Sequence, residues 1–185
     1  MTKARLTPTS YALLGLMTFK EAADGVTGYE LKQLADLTLR FYWVAPAMSQ
    51  VYSELDRLAD AALVAARPNG TATRRSTRYV ITPDGEQALR SWLADEPAGF
   101  PVLKHPVALR LLMGDLSSAE DLRAMLVEHL EALATRRAEL QAVRHSLEGR
   151  EDMTYPAMVA DWGLAYFDSE VQIVQDLERR IADEG

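Results

Sequence analysis

Residues 61–83 contain no acidic residue but four arginines, Arg67, Arg74, Arg75 and Arg78. A guanidinium group is always charged and presents a fork of N–H donors that fits phosphate oxygens. The surrounding pattern, an apolar segment, a polar stretch with Asn-Gly and a β-branched segment, is typical of a β-hairpin. The sequence therefore predicts a cationic hairpin for phosphate contact, with solvated loop charges as the alternative. Arg67 lies nearer the base of the hairpin.

An amphipathic helix is predicted directly before the hairpin, from about Pro46 to Ala62. Val51, Leu55, Leu58 and Ala62 recur at helical spacing and are expected to be buried on one face. The opposite face is expected to be exposed and holds polar or charged side chains, which are Ser49, Gln50, Ser53, Glu54 and Arg57.

The exposed face carries side-chain types that read base edges. Gln pairs with adenine and Arg with guanine in the major groove, so Gln50 and Ser53 are the predicted base readers. Ser49 and Arg57 lie beside them. Acidic residues such as Glu54 repel phosphate, so the N-terminal end of the helix is expected to enter the groove. An ordinary solvated helix face is the alternative.

A second helix is predicted to begin at a capping box, in which Thr27 and Glu30 satisfy each other's backbone donors. Tyr29 and Lys32 lie in its first turns. They are predicted to contact the DNA backbone, assisted by the free amides of that helix terminus. Tyr52 is predicted mainly to pack, with phosphate contact as the alternative.

The first half of the chain is predicted to contain four helices and one hairpin. The first helix is expected over Pro8–Lys20, the second to end near Leu39, and the fourth to run from Thr82 to before Pro97. Three helices, a hairpin and a helix follow one another in a winged helix-turn-helix. Residues 1–97 are therefore predicted to form a DNA-binding domain.

Residues 98–106 are rich in proline and glycine and are predicted to be a linker. Residues 107–185 are predicted to be helical. The expected helices are a short one over Val107–Gly114, a long one from a capping box at Ser117-Ser118-Ala119-Glu120 to about Leu147, and a last one over Pro156–Ile181.

The long helix contains a predicted coiled-coil seam. Positions 122, 126, 129, 133, 136, 140, 143 and 147 alternate spacings of four and three, and all but His129 and Arg136 are Leu or Val. These two polar residues are expected to face a pocket, pair with acids of a partner, or specify register. The last helix is expected to present one apolar side, formed by Val159, Trp162, Tyr166, Ile173, Leu177 and Ile181.

Two such helices cannot bury both seams by themselves, so a second copy of the chain is predicted to cover them. The predicted fold is mainly α with a small β-hairpin: a winged helix-turn-helix followed by a C-terminal helical, coiled-coil-like dimerisation domain. A symmetric dimer would place two recognition helices one or two DNA turns apart.

The net charge of the chain is −7, which taken alone argues against nucleic acid. Residues 1–98 carry 11 basic and 11 acidic residues, so all the excess acid lies in residues 99–185. Because DNA binding depends on the local field, this distribution permits it. The chain has no cysteine, no apolar leader at its start and no apolar run long enough for a bilayer. A soluble, cytoplasmic protein is expected.

Several motifs occur in order in the first half: Gly28-Tyr29-Glu30-Leu31, then Ser49-Gln50-Val51-Tyr52-Ser53-Glu54-Leu55 with Leu58, and Tyr79 with Thr82-Pro83-Asp84-Gly85. Together they resemble the PadR family of bacterial transcription regulators, in its longer subgroup with a helical C-terminal half. The resemblance implies a homodimer that binds a double-stranded DNA operator. It also implies repression, in some members relieved by a phenolic or other small apolar effector.

The chain departs from the family pattern at Ala62, where a glycine often precedes the first strand of the wing. Glycine there supplies a left-handed residue after a helix. The alanine puts the geometry of this turn in question, but not the fold.

An aromatic and Met-rich set is the candidate effector pocket, because such pockets have apolar walls with few polar groups. The set comprises Trp92, Tyr155, Met158, Trp162 and Tyr166, next to Phe167. The alternative is that these side chains form the core or the dimer interface.

Enzymatic and metal sites are not expected. His105, His129 and His145 lack the spacing of metal ligands, and neither a nucleophile with a base partner nor a phosphate-binding glycine loop is apparent. No cofactor is predicted. The competing functional hypothesis is a winged-helix module that binds protein rather than DNA, because one fold serves both uses.

Overall fold

The computed structural model describes residues 6–19, 22–43, 45–69, 76–102 and 104–184. The chain divides into two compact units, residues 1–99 and residues 100–185. Within the described ranges, no helix combines the length and the apolar character needed to cross a membrane.

Four helices form most of the first unit. They are α1 (Pro8–Leu16), α2 (Gly28–Thr38), α3 (Met48–Asp60) and α4 (Pro83–Asp95), with a 3-10 turn at Leu39–Phe41 after α2. The core lies where the first three helices meet, and its fully buried side chains include Leu13, Leu31, Val51, Leu55 and Leu58. Burial of these large aliphatic side chains is the main favourable contribution to this unit.

Local hydrogen bonds begin these helices where the sequence predicts. The hydroxyl of Thr7 accepts from the Ser10 backbone N–H at the start of α1. At α2 the Thr27 hydroxyl accepts from the Glu30 N–H (3.2 Å), and the Thr27 N–H donates to the Glu30 carboxylate (2.8 Å). Thr82 caps α4 through the Gly85 N–H. Each cap satisfies backbone donors that have no partner within the helix.

Three short strands form an antiparallel sheet in the order β1-β3-β2, where β1 is Val26–Thr27, β2 is Val64–Asn69 and β3 is Ser76–Ile81. The β2–β3 hairpin pairs Val64 with Ile81 and Arg67 with Arg78. The hairpin is confirmed. The pairing of β1 with β3, which joins Val26 to Tyr79, was not predicted.

A tight turn connects α3 to β2. Ala62 has a positive φ of 57°. The Leu63 N–H donates to the Leu58 carbonyl and the Ala62 N–H to the Ala59 carbonyl, both at 2.9 Å. This is the Schellman pattern, with Leu63 and Leu58 buried together beside it. The alanine therefore adopts the left-handed conformation that glycine normally supplies.

The second unit is helical, as predicted. It contains α5 (Pro106–Leu111), α6 (Ala119–Ser146) and α7 (Thr154–Glu184), with 3-10 turns at Gly114–Leu116 and Glu151–Met153. Helices α6 and α7 pack antiparallel and bury residues at intervals of seven: Leu126, Leu133 and Leu140 on α6 with Ala160, Phe167 and Val174 on α7, and Met153 in the turn before α7 continues this spacing.

Ion pairs between α6 and α7 fix this register. Arg144 contacts Asp161 at 2.6 Å, and Arg137 bonds Asp168 through two nitrogens at 2.6 and 3.2 Å. The hydrogen bonds from Arg137 lower the pKa of Asp168. Because these pairs are solvated, they specify alignment more than they add stability.

The structure corrects several predictions. Helix α1 is predicted to end at Lys20, but it ends at Leu16. Just after this end, the Thr18 hydroxyl donates a hydrogen bond to the Gly15 carbonyl. Ala62 is exposed rather than buried, because the helix has already ended. The cap of α6 is Ser118, which accepts from the Asp121 N–H, one residue later than predicted.

The predicted apolar side of the last helix differs from the face that α7 buries against α6. Trp162, Tyr166 and Ile173 are exposed, whereas Phe167 and Val174 face α6. Helix α7 therefore has apolar residues on two faces. Among the described residues, α6 covers the face of Phe167 and Val174, and the face of Trp162 and Tyr166 is left exposed.

Replacing Ala62 by glycine should raise the free energy of unfolding by about 0.5–1 kcal/mol, because glycine adopts a positive φ without steric cost. Ala61, its exposed neighbour, has a negative φ of −82° and is a matched control. Ala61→Gly should lower the free energy of unfolding by a similar amount. Chemical denaturation of both variants is the measurement, and equal effects of the same sign would contradict the strain assigned to Ala62.

Candidate nucleic-acid interface

Helix α3 presents a polar surface from its first turns onward. The side chains of Ser49, Gln50, Ser53 and Arg57 are exposed, as predicted for this face of the helix, and Tyr52 is exposed beside them. Ala47 is the N-cap residue of α3, and its side chain cannot accept a hydrogen bond. The Gln50 Oε1 atom instead accepts a hydrogen bond from the Ala47 N–H at 2.9 Å at this end of the helix. The Ser53 hydroxyl donates to the Ser49 carbonyl at 2.9 Å. These two bonds fix the orientation of both side chains. The Gln50 amide nitrogen can still donate a hydrogen bond to, and the Ser53 oxygen can still accept one from, a molecule outside the protein.

Glu54 does not lie on the exposed face where the sequence analysis places it. It is 9% exposed, and its Oε2 atom accepts a 2.5 Å hydrogen bond from the hydroxyl of Ser10, which is fully buried on α1. Its Oε1 atom lies 3.1 Å from the guanidinium of Arg57. A buried carboxylate needs such partners because desolvation of the charge is costly. This arrangement removes one repulsive carboxylate from the helix surface and links α3 to the capped end of α1.

Tyr29 and Tyr52 lie near the beginning of α2 in different ways. Tyr29 is exposed, and its hydroxyl lies 3.3 Å from the Gln33 amide. The ring of Tyr52 covers Gly28, where an added Cβ would lie 2.5 Å from the Tyr52 Cε1 atom. Tyr52 therefore packs α3 against α2 while it remains half exposed. Lys32 forms an ion pair with Asp36 one turn later on α2.

Arg78 forms bonds within the protein, although residues 61–83 contain no acidic residue. Its guanidinium donates to the Gly25 carbonyl and lies 3.2 Å from Glu30 Oε1. The sequence pattern does not indicate this pair, because Glu30 lies 48 residues earlier. The pKa of Glu30 is lowered, mainly by the hydrogen bond from the Thr27 backbone N–H. The hydrogen bond from the Thr27 hydroxyl and the charge of Arg78 lower it further.

Arg67 is exposed on β2, directly opposite Arg78. Like charges at such positions repel, and the bonds of Arg78 to Glu30 and Gly25 draw its charge toward α2. Arg74 and Arg75, the predicted tip of the wing, lie outside the described residues.

The candidate effector residues belong to both units. Trp92 lies in the first, where its ring stacks on Tyr11 with centroids 4.7 Å apart and an interplanar angle of 10°. Trp162 and Tyr166 stack on each other on the exposed face of α7, 6.3 Å apart. Tyr155 and Met158 extend the same face and are also exposed. On the second unit these four side chains form an apolar stripe, which we call the α7 stripe.

The second unit also has open grooves that are lined by other residues. A groove of about 310 Å³ is lined by residues of the α5–α6 region, including Arg110, Met113 and Met125. A second, of about 540 Å³, lies between the start of α6 and the end of α7 and includes Arg123, Glu178 and others. The side chains of the α7 stripe line neither groove.

Comparison with known proteins identifies the class to which this fold belongs. Over 95% of this chain and 99% of the other, the structure matches Bacillus subtilis PadR in complex with operator DNA, with a TM-score of 0.83 and 20% identity. It also matches Bacillus subtilis PadR in complex with p-coumaric acid, with a TM-score of 0.75, 20% identity and coverage of 94% and 98%. The fold is therefore that of the PadR-like winged-helix regulators, as the resemblance in sequence implied.

The C-terminal part gives a second, independent match. Residues 103–181 match the family model described as Virulence activator alpha C-term. The structure of the Vibrio cholerae virulence activator AphA agrees over 95% of this chain and 99% of that one, with a TM-score of 0.71 and 19% identity. No curated protein sequence matches the chain.

The Ser10–Glu54 hydrogen bond should make these two residues energetically coupled. We expect Glu54→Ala to lower the free energy of unfolding by about 1–3 kcal/mol, because it leaves Ser10 without its buried acceptor and Arg57 without its carboxylate. A double-mutant cycle with Ser10→Ala should give a coupling energy of about 1 kcal/mol. Chemical denaturation of the four proteins measures it, and additive single effects would contradict the linkage between α1 and α3.

Proposed function

We propose that this protein is a DNA-binding transcription regulator that acts as a homodimer. The observation that carries the proposal is the agreement along nearly the entire chain with a PadR protein bound to operator DNA. That likeness concerns fold, so the DNA contacts proposed for this chain rest on its own residues.

The proposed base-reading surface is the first half of α3. Ser49, Gln50 and Ser53 are exposed there, and burial of Glu54 leaves their surroundings less negative than the sequence implies. The orientation of Gln50 and Ser53 by bonds to the helix start supports their role, because pre-ordered side chains lose less entropy on binding. Arg57 lies one turn further and is partly engaged by Glu54.

Phosphate contact is proposed for the wing and for the start of α2. Arg74 and Arg75 occur in the part of the hairpin sequence without acidic residues, and Arg67 is exposed on β2. Tyr29 is exposed at the N-terminus of α2, where backbone amides favour anions. Arg78 and Lys32 each have a carboxylate partner in the chain, so we assign Arg78 primarily to holding the wing against α2 and give both a smaller part in DNA binding.

A second copy of the chain is the proposed partner of the α7 stripe. Tyr155 is 79% exposed and Trp162 is 63% exposed, and Ile173 continues the apolar surface two turns beyond Tyr166. Contiguous apolar patches of this kind mark interaction surfaces. A self-complementary contact would cover the stripe and repeat the DNA-binding unit on one duplex.

The proposed effector is a small apolar or phenolic molecule that relieves repression. The p-coumaric acid complex of the Bacillus subtilis protein supports this chemical class. The stacked pair of Trp162 and Tyr166 offers one apolar wall, and a second copy of the chain would supply the opposing wall. Trp92 is omitted from this proposed site because Tyr11 covers one face of its ring.

The wing proposal predicts a change in the salt dependence of DNA binding. The double variant Arg74→Ala/Arg75→Ala should bind duplex DNA more weakly, because two phosphate contacts are lost. The slope of log affinity against log salt should become shallower by about 0.9 for each contact. Fluorescence anisotropy with a labelled duplex over a salt series is the measurement.

A matched control is Arg90→Ala/Arg179→Ala, which removes two exposed arginines from α4 and α7. Its slope should stay close to that of the unmodified protein. The duplex is best obtained by selecting bound fragments from the source genome. Unaltered affinity and slope in the wing variant would contradict the proposal, and failure to select any fragment would favour a protein-binding module.

The dimer proposal predicts that Trp162→Glu yields a monomer. A carboxylate in the centre of the α7 stripe would be desolvated by a second copy, whereas in the single chain this position is exposed and the fold is retained. Sedimentation velocity at several concentrations measures the association state. Gln172→Glu adds the same charge at another exposed position of α7 and should remain dimeric. A folded Trp162→Glu protein that still sediments as a dimer would show that another surface forms the contact.

A further inference from the structure

Three side chains with metal-ligating atoms meet within the second unit. His105 precedes α5, His129 lies on α6 and Glu170 lies on α7. The Nε2 atoms of His105 and His129 lie 2.7 and 3.3 Å from the same Glu170 oxygen, Oε1. The two imidazole rings are nearly perpendicular, with centroids 5.2 Å apart. The spacing of the histidines along the sequence does not predict a metal site, but the fold brings two of them to one carboxylate.

The three groups are largely removed from solvent. Their side chains are 16%, 23% and 13% exposed in the order His105, His129 and Glu170. Partial burial holds the rings in place and excludes most competing water. In contrast, His145 and Glu148 form a pair at 3.2 Å on the surface of the same unit, with the histidine side chain 79% exposed.

We propose that His105, His129 and Glu170 bind a divalent transition-metal ion of the zinc class. The ligand atoms all lie within 4.8 Å of one another. Bonds of about 2.0–2.1 Å in a tetrahedral site place ligand atoms about 3.4 Å apart, which small side-chain rotations achieve here. Two imidazoles and one carboxylate suit zinc and its neighbours, whereas magnesium and calcium prefer oxygen ligands. A fourth position remains for water.

The tautomer of His105 couples this site to α5. The His105 Nδ1 atom accepts a 3.2 Å hydrogen bond from the Ala108 N–H, and this bond caps the helix. The proton of the neutral ring therefore lies on Nε2 and points to Glu170. When Nε2 ligates a metal, the proton moves to Nδ1 and the Ala108 N–H loses its acceptor. Metal binding therefore removes the hydrogen bond that caps α5. In its place, the metal ion joins His105, which precedes α5, to His129 on α6 and Glu170 on α7.

The competing interpretation is a metal-free cluster in which both histidines donate hydrogen bonds to Glu170. Both interpretations account for the 2.7 and 3.3 Å distances. The two interpretations differ in the expected response to added metal ions. The metal site predicts saturable, stoichiometric binding, and the metal-free cluster does not.

The test is titration of the full, tag-free chain with Zn²⁺ alone and with Co²⁺ alone, by calorimetry and by electronic absorption. We expect one equivalent to bind, with Co²⁺ giving the spectrum of a tetrahedral nitrogen–oxygen site. His129→Gln should weaken the affinity by at least about tenfold. His105→Ser should do the same while it preserves a cap for α5, because serine is a good N-cap residue.

His145→Gln is the control, and its affinity should equal that of the unmodified chain. Circular dichroism establishes that each variant is folded, and Glu170→Gln replaces any variant that is not. Absence of one-equivalent binding by the unmodified chain would overturn the proposal. So would equal affinities in the His129→Gln and His145→Gln proteins, since the ion would then bind elsewhere.

Discussion

The turn over residues 61–63 is the constraint on which the geometry of the first unit depends. It ends α3 and begins β2, and α4 is fastened to it. The Thr82 N–H donates to the Leu63 carbonyl at 3.0 Å, and the Thr82 hydroxyl donates to the Ala62 carbonyl at 2.8 Å. A Cβ atom at Gly85 would lie 2.1 Å from the Leu63 oxygen, so only glycine permits this approach. One short segment therefore sets the angle between α3 and the wing.

Much of the first unit could be predicted because its signals are local. The capping box at Thr27 and Glu30 and the apolar period of Val51, Leu55 and Leu58 each lie within a few turns of helix. Strand β1 could not be predicted, because two residues have no measurable period. The role of Glu54 was missed for a related reason. A charged residue is assigned to the surface by default, and its partner Ser10 lies 44 residues away.

The second unit shows a different limit of sequence reasoning. Periodicity located α6 and most of α7, and it detected apolar residues on both. Periodicity alone does not show which apolar face of α7 packs against α6, because Trp162 and Phe167 both count as apolar residues. The smaller residue Ala160 lies on the buried face, where it permits close approach of the helices. The convergence of His105 and His129 on Glu170 depends on that choice of face, and spacing along the sequence carries no information about it.

In the proposed regulator, the charges of the first unit explain why DNA binding would depend on dimerisation through the second unit. In the first unit, Lys32, Arg57 and Arg78 are each paired with a carboxylate of the chain. The pair of Arg78 joins the wing to α2, whereas the other two pairs each lie within one helix. Such cations contribute less to phosphate attraction than their number implies, since they must leave one partner to engage another. In the proposed complex, the electrostatic part of DNA affinity therefore rests mainly on Arg67, Arg74 and Arg75. In the proposed regulator a single copy is expected to bind DNA weakly, whereas two copies on one duplex would add their contacts and gain from effective concentration. If a second copy covers the apolar α7 stripe as proposed, this stripe contributes to DNA affinity although it is remote in sequence from every proposed DNA contact.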